Sequence, residues 1–286
     1  MKIQFINYNK LIMKADLHNH SYYSDGVLSP CEVIKLASKA GCDLFSLTDH
    51  DTTNGIPEAL SEADKLDLNF LNGVEISAFW RNSAIHIIGL GIDIENDMLQ
   101  TGLEFNQALR KERSNKIALG LWRSGIKDAL EKAQKISGGH MLTRTHFAQM
   151  LIHEGYCKDM KSVFRRYLTG KKPGGVRVEW KSFDEVIKWI QAAGGKALIA
   201  HPFRYRMTHT KIKKMLLDFK EANGDGLEVV NSNSSDQEIS LGDQWSENYN
   251  LLASIGSDFH GWPNQRIQIG NLANLPNNDR AIWSHL

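Results

Sequence analysis

The chain has 286 residues, 42% of them hydrophobic, and a net charge of +1. That is enough apolar material for one large domain, or for a domain carrying an insertion, and the near-neutral balance points to no class of partner. Three cysteines (Cys31, Cys42 and Cys157) without C-x-x-C spacing argue against a disulfide framework and a zinc finger, and the lack of an apolar run of about 18 residues argues against a membrane span.

In chain order, residues 1–12 read as a short N-terminal extension. Asn7, Asn9 and Lys10 interrupt what would have to be a signal peptide's apolar region, so the cytoplasm is the expected location. KADLH, 14–18, reads as a strand. Ser29-Pro30-Cys31-Glu32 is a capping box with proline at the first helical position, opening a helix that stops at Gly41. DLFSLTDH, 43–50, is a strand of the buried type, and a helix follows from Pro57 to Leu66. GVEIS, 73–77, and AIHIIGLG, 84–91, are two more strands. Residues 98–181 break the rhythm and read as helical throughout. Ser182-Phe183-Asp184-Glu185 is a second capping box, before a helix ending at Gly194. A strand over 196–202, a helix over 210–222 and strands over 226–231 and 251–260 complete the chain. This alternation predicts an α/β fold: a parallel sheet with helices outside, open or closed into a barrel.

The polar residues fall where such folds build sites. His18 and His20 follow the first strand, Asp49, His50 and Asp51 end the second, Glu75 and His86 lie in the third and fourth, His201 ends the fifth, and Asp258 and His260 end the last. Carboxyl ends of strands form one surface in barrels and doubly wound sheets, so these residues are expected to converge. A lone histidine is usually just a hydrogen-bonded residue. Six of the chain's 11 histidines at such positions, together with Asp25, Glu75 and Asp258, form a pattern suited to metal ions. Imidazole mixed with carboxylate suits manganese, iron or zinc, with manganese favoured.

The motifs HNH, SDG, LTDHD, GVEIS, the lone His86, AHP and GSDFH resemble those of the polymerase and histidinol phosphatase (PHP) family, over residues 14–262. Within it the chain is most similar to the group of nucleoside 3′,5′-bisphosphate phosphatases and 5′ to 3′ exoribonucleases. The resemblance implies a distorted (β/α)7 barrel, residues 13–97 and 182–286, interrupted by an inserted helical lid, 98–181. It implies three divalent ions. His18, His20, Glu75 and Asp258 would hold the first, Glu75, His86 and His201 the second, and Asp25, His50 and His260 the third. A hydroxide bridging the ions would attack phosphorus directly, with His201 or His260 assisting proton transfer to the leaving alcohol. Asp16, Asp49 and Asp51 are candidates to orient imidazoles from behind, with a purely structural role the equal alternative for Asp49.

The insertion holds 17 Lys and Arg against 7 Asp and Glu, a net +10, which leaves −9 for the rest of the chain. Because it lies between His86 and His201, both its ends are expected to start beside the metal face. A cationic lid there would attract an anion with more than one phosphate. By resemblance, Arg144 and His146 in TRTHF, and then Arg113, are the expected substrate contacts. Arg165 and Arg166 read as surface charge, and Lys171 to Gly175 as the exit loop. The expected substrate is a nucleoside 3′,5′-bisphosphate losing its 3′-phosphate, with short single-stranded RNA bearing a 5′-monophosphate as a further one; no obligate protein partner is evident. Two other readings are a phosphatase of another small phosphomonoester, such as histidinol phosphate, and a non-catalytic metal-binding domain. The basic lid speaks against the first, the full ligand set against the second.

Overall fold

Buried strands alternating with one-sided helices decide the architecture. In the computed structural model, which describes residues 13–261 and 266–286, seven strands lie side by side in chain order. The proposed extension, residues 1–12, lies outside the described residues. The strands are β1 (Ala15–Asp16), β2 (Leu44–Leu47), β3 (Asn69–Trp80), β4 (Ser83–Leu90), β5 (Lys196–Ile199), β6 (Gly226–Asn231) and β7 (Leu252–Gly256). Helices α1 (Pro30–Lys39), α2 (Ile56–Lys65), α3 (Asp97–Arg123), α4 (Ala129–Ile136), α5 (Arg144–His153), α6 (Met160–Val163), α7 (Phe183–Ala192), α8 (His209–Glu221) and α9 (Asp236–Asn248) surround them. The sheet's two edges meet just beyond β1 and β7. Leu17 N–H donates to the Ile255 carbonyl at 3.0 Å, His20 N–H to Phe259 at 2.9 Å and Asp258 N–H to His18 at 2.8 Å. This is the expected seven-stranded α/β barrel.

Its distortion lies at β4. Most neighbouring strands are parallel, but β4 runs antiparallel to both β3 and β5, which corrects the all-parallel reading. The reason is the connection. Only Arg81 and Asn82 separate β3 from β4, and two residues can form a hairpin but not a crossover. Leu90 at the end of β4 therefore pairs with Lys196 at the start of β5. The chain enters the insertion from the end of the barrel opposite the candidate site, against expectation. It returns at the site end, where Phe79 N–H donates to the Lys181 carbonyl at 2.8 Å. The 27 residues of α3, about 40 Å long, close the gap.

Capping signals mostly hold. Ser29 and Glu32 cap α1 reciprocally, with Pro30 inside the first turn. At α7 only half of the box forms: Ser182 accepts from Glu185 N–H, while the Glu185 carboxylate turns to Lys181 at 3.0 Å. Helix α9 went unpredicted although Ser235 and Glu238 form a full capping box. The largest apolar cluster packs the barrel strands against α7 and α8; a second joins α1 and α2 to β2; a third, including Ile117, Phe147 and Leu168, lies wholly within the insertion. Among the described residues no helix is long and apolar enough to cross a membrane.

Candidate metal centre

Strand register assembles the centre. Ser77 on β3 pairs with His86 on β4, so Glu75, two residues from Ser77, projects from the same face as His86. His86 Nδ1 lies 2.9 Å from Glu75 Oε1. Because β4 is reversed, His86 reaches the shared face from the first half of its strand rather than from its end. His201 and Asp258 directly follow the ends of β5 and β7, with φ of 29° and 56°, a strained region for residues with side chains. The neighbouring structure holds that strain. Glu228 Oε2 accepts the His201 N–H at 2.8 Å, and the His18 carbonyl accepts the Asp258 N–H. Close packing behind the site needs Gly256: a Cβ there would meet His18 Cβ at 2.2 Å.

Glu75 is the hub, fully buried. Oε1 faces His86 Nδ1, His201 Nε2 at 3.0 Å and His18 Nε2 at 3.4 Å; Oε2 faces His50 Nδ1 at 2.8 Å and His20 Nε2 at 3.4 Å. Asp258 Oδ1 lies 3.1 Å from His20 Nε2, and Asp25 Oδ1 lies 3.2 Å from His260 Nε2. All nine residues expected as ligands fall into groups whose donor atoms lie within 4.8 Å of one another. The groups are His18 with His20 and Asp258; His18 with Glu75 and His201; His50 with Glu75 and His86; and His20 with Asp25, His50 and His260. The groups overlap at His18, His20, His50 and Glu75, and His86 and His201, which fall in different groups, meet on the same oxygen of Glu75.

The donor set fits divalent cations. Buried His18 Nε2, Asp25 Oδ1, His50 Nδ1, Glu75 Oε2 and His201 Nδ1 have no hydrogen-bond partner. His50 Nδ1 and Glu75 Oε2 are near in distance yet not aligned as donor and acceptor. Burying five such atoms unpaired costs free energy that a shared cation would recover. Electrostatics agree. Burial alone would raise the Glu75 and Asp25 carboxyls; imidazoles (chiefly His50 and His86 around Glu75, His260 and His50 around Asp25) hold both well below the ordinary carboxylate range. Burial pushes His20 well down. His18 goes the other way, to about 10, because Glu75 and Glu228 overcome its burial. That pull measures an excess of negative charge which a divalent cation would answer as well as a proton.

The three carboxylates expected behind the imidazoles act elsewhere. Asp16 accepts from Asn19, Ser257 N–H and Gly270 N–H. Asp49 accepts from Ser21 and Ser24, fixing the loop that carries Asp25; burial pushes its carboxyl up to about 7. Asp51 binds Arg110, Asn106 and Ser77 N–H, which ties α3 to the barrel. None touches an imidazole by hydrogen bond. Glu228, which sequence reading missed, does: its Oε1 lies 2.9 Å from His18 Nδ1. Its only sequence signal was a charge inside an otherwise apolar strand, GLEVVN.

A cavity of about 400 Å³ opens beside the cluster. Asp25, His50 and His86 line one side; Arg110, Arg113, Arg144 and Arg177 line the other, with Phe79, Phe164 and Trp180 between them. Thr145 reaches across, its hydroxyl donating to Asp25 Oδ2 at 2.9 Å. Arg113, Arg144 and Arg177 make no hydrogen bond or ion pair among the described residues; each lies over an aromatic ring. Burial and the neighbouring guanidiniums lower the basicity of Arg113 and Arg144, although Arg144 keeps surface open to the cavity. His146, by contrast, does not line this cavity. Its Nδ1 accepts the Thr143 N–H at 3.0 Å, capping α5. Arg165 and Arg166 lie off the cavity, as expected for surface charge. Arg110 and Arg177 were missed because nothing in sequence distinguishes them from other basic residues of the insertion.

A family model described as PHP domain matches residues 16–230, and the chain belongs to that family. Among characterised relatives it is similar to the 3′,5′-nucleoside bisphosphate phosphatase of Chromobacterium violaceum, at 41% identity over 95% of both chains. It is also similar to the 5′-3′ exoribonuclease of Haemophilus influenzae, at 37% identity over 94% of this chain and 98% of the relative. The crystal structure of an amidohydrolase from Chromobacterium violaceum, with bound sulfate and no metal, shares the fold with a TM-score of 0.90 at 41% identity, covering 95% of each chain.

Proposed function

We propose that the protein is a metal-dependent phosphoesterase that removes the 3′-phosphate of nucleoside 3′,5′-bisphosphates, such as adenosine 3′,5′-bisphosphate, and takes nucleotides from the 5′ end of short 5′-phosphorylated RNA. One observation carries this reading: Asp25, His50 and His86 of the nine-residue cluster and the unpartnered guanidiniums of Arg113, Arg144 and Arg177 line one cavity. Unpaired cations at that density repel one another, and an anion between them relieves the repulsion. The relatives' names supply the substrate class.

His18, His20, Asp25, His50, Glu75, His86, His201, Asp258 and His260 would hold about three divalent ions, manganese being favoured over iron or zinc by the mixed donor set. When bound, the ions supply Lewis acidity and neutralise phosphate charge. The chain's own residues do the rest. Glu75 holds five imidazoles in place. Arg113, Arg144 and Arg177 take the 5′-phosphate, so that the 3′ phosphorus lies toward the cluster. Phe79, Phe164 and Trp180 each carry one guanidinium over a ring and so hold the arginines in place. Of the two imidazoles proposed to assist proton transfer to the leaving alcohol, His260 is the more exposed, 27% against 10% for His201, and holding an ion competes with that role in both. Residues 98–181 act as the lid that brings the arginines over the barrel formed by 13–97 and 182–286.

The test is a substrate panel with manganese added: 3′,5′-bisphosphates, mononucleotides with one phosphate, histidinol phosphate and 5′-phosphorylated oligoribonucleotides. The reading requires the bisphosphate and the oligoribonucleotide to be turned over far faster than any single-phosphate compound. Preference for histidinol phosphate would overturn it.

A further inference from the structure

Next to the metal cavity lies a larger one, of about 670 Å³. Its floor is Tyr23 and Asn54, from the loops that carry Asp25 and His50; its wall is Lys111 and Asn115 of α3; its roof is Gln134 and His140 from α4 and the loop after it. Arg110 borders both cavities. No acidic side chain lines it.

Two features give this cavity a chemistry. The first is an aromatic platform across the seam between barrel and insertion. His140 stacks on Tyr22 with centroids 4.5 Å apart and planes at 16°, and meets Tyr23 at 4.7 Å. The second is a set of unengaged polar groups. The side chains of Asn54, Lys111, Asn115 and Gln134 make no hydrogen bond or ion pair among the described residues. Amides offer paired donors and acceptors to base edges, an ammonium suits a phosphate, and flat rings suit stacking. An acid-free cavity combining all three matches a nucleotide of a single strand better than an apolar metabolite or a peptide. A mononucleotide bisphosphate already places both its phosphates between the cluster and the arginines of the first cavity, so it has no use for the second.

Building on the proposed reading of the metal cavity, we propose that this second cavity holds the nucleotide on the 3′ side of the scissile phosphate of single-stranded RNA. Stacking on Tyr23 and His140 and contact with Lys111 would then set the affinity for polynucleotides separately from that for mononucleotides. Base stacking and one lost phosphate contact each predict about a ten-fold effect.

The experiment compares wild type with Lys111→Ala, His140→Ala and the double variant Asn115→Ala/Gln134→Ala, all with manganese. Each is assayed on adenosine 3′,5′-bisphosphate and on a 5′-phosphorylated tetraribonucleotide. Anisotropy of a labelled 5′-phosphorylated oligoribonucleotide on metal-free protein gives affinity without turnover. The expected result is a rise in KM and Kd of about ten-fold for the oligonucleotide, with kcat/KM for the bisphosphate within about two-fold of wild type. Unchanged oligonucleotide KM and Kd in all three variants would overturn the proposal, as would equal losses on both substrates at unchanged melting temperature. If wild type fails on the bisphosphate while the variants still weaken oligonucleotide binding, the earlier reading fails and this one stands.

Discussion

Glu75 shows how much one buried side chain organises. Five imidazoles converge on its two oxygens, so removing it leaves them without a common anchor and with their mutual repulsion unopposed. Metal-replete wild type is expected to carry about three divalent ions per chain, and Glu75→Ala should disturb two of them. Asp25→Ala should release chiefly one, because Asp25 belongs to a single donor group. Elemental analysis of reconstituted protein decides this, and one ion or fewer in wild type would reject a three-ion centre. Arg144 tests the anion site. A charge-assisted contact contributes roughly 1.5–3 kcal/mol, so Arg144→Ala should cost the bisphosphate about 10- to 100-fold in kcat/KM while generic phosphomonoesters lose little. Equal losses on both would make Arg144 a structural support instead.

Among the elements, α3 matters most, because it carries the chain from the far end of the barrel to the site. It passes α7 at Gly102, where a Cβ would lie 2.4 Å from the Trp189 ring, and reaches Asp51 and Ser77 with Asn106 and Arg110. Gly102→Ala adds helix propensity but forces the two helices apart. We expect a net loss of about 1–3 kcal/mol, read as a lower urea midpoint at unchanged m. The β3–β4 hairpin is tied to α8 by Asp218, which accepts from Trp80 Nε1 at 2.9 Å and pairs with Lys214 at 2.9 Å. Burial would raise this carboxyl, but Lys214 and Trp80 outweigh it and hold it below the ordinary 3.8. A depressed folded pKa stabilises above the unfolded value and fades as pH falls through the folded one. Asp218→Asn should therefore destabilise at neutral pH and flatten the loss of stability as pH falls below about 4. Parallel stability-versus-pH curves for the two proteins would count against this tie.

At the scale of the whole molecule, charge is divided between two parts. The insertion's +10 faces a −9 remainder whose buried carboxylates await cations of their own. Arg144 and Arg177, which line the first cavity, are exposed to solvent, so mobile ions can compete with the substrate. Raising salt from about 0.05 to 0.5 M should weaken turnover of the bisphosphate more than that of a monophosphate. An equal salt response for both would mean that the asymmetry serves solubility or folding rather than substrate capture.

Strand ends are recognisable and histidines there are uncommon, so a set of candidate ligands was legible in the sequence; the resemblance to the PHP family narrowed it to nine. The alternation of strands and helices was legible because capping boxes and apolar runs are local signals, but whether the sheet stayed open or closed into a barrel rested on that resemblance. What sequence left open depended on direction and distance. The reversal of β4 hung on a two-residue connection, and it moved the start of the insertion to the far end of the barrel. His86 meets Glu75 because strand register, not motif order, aims a side chain. His146 turned inward to cap α5, which its ring nitrogen can do only once that helix has formed. Arg110, Arg177 and Glu228 resemble dozens of other charges until the fold brings each against a named partner. Residue type set the chemistry available to this protein; the packing of β3, β4 and α3 chose which of those groups meet, because pairing across long sequence separations depends on geometry that composition and local pattern do not carry.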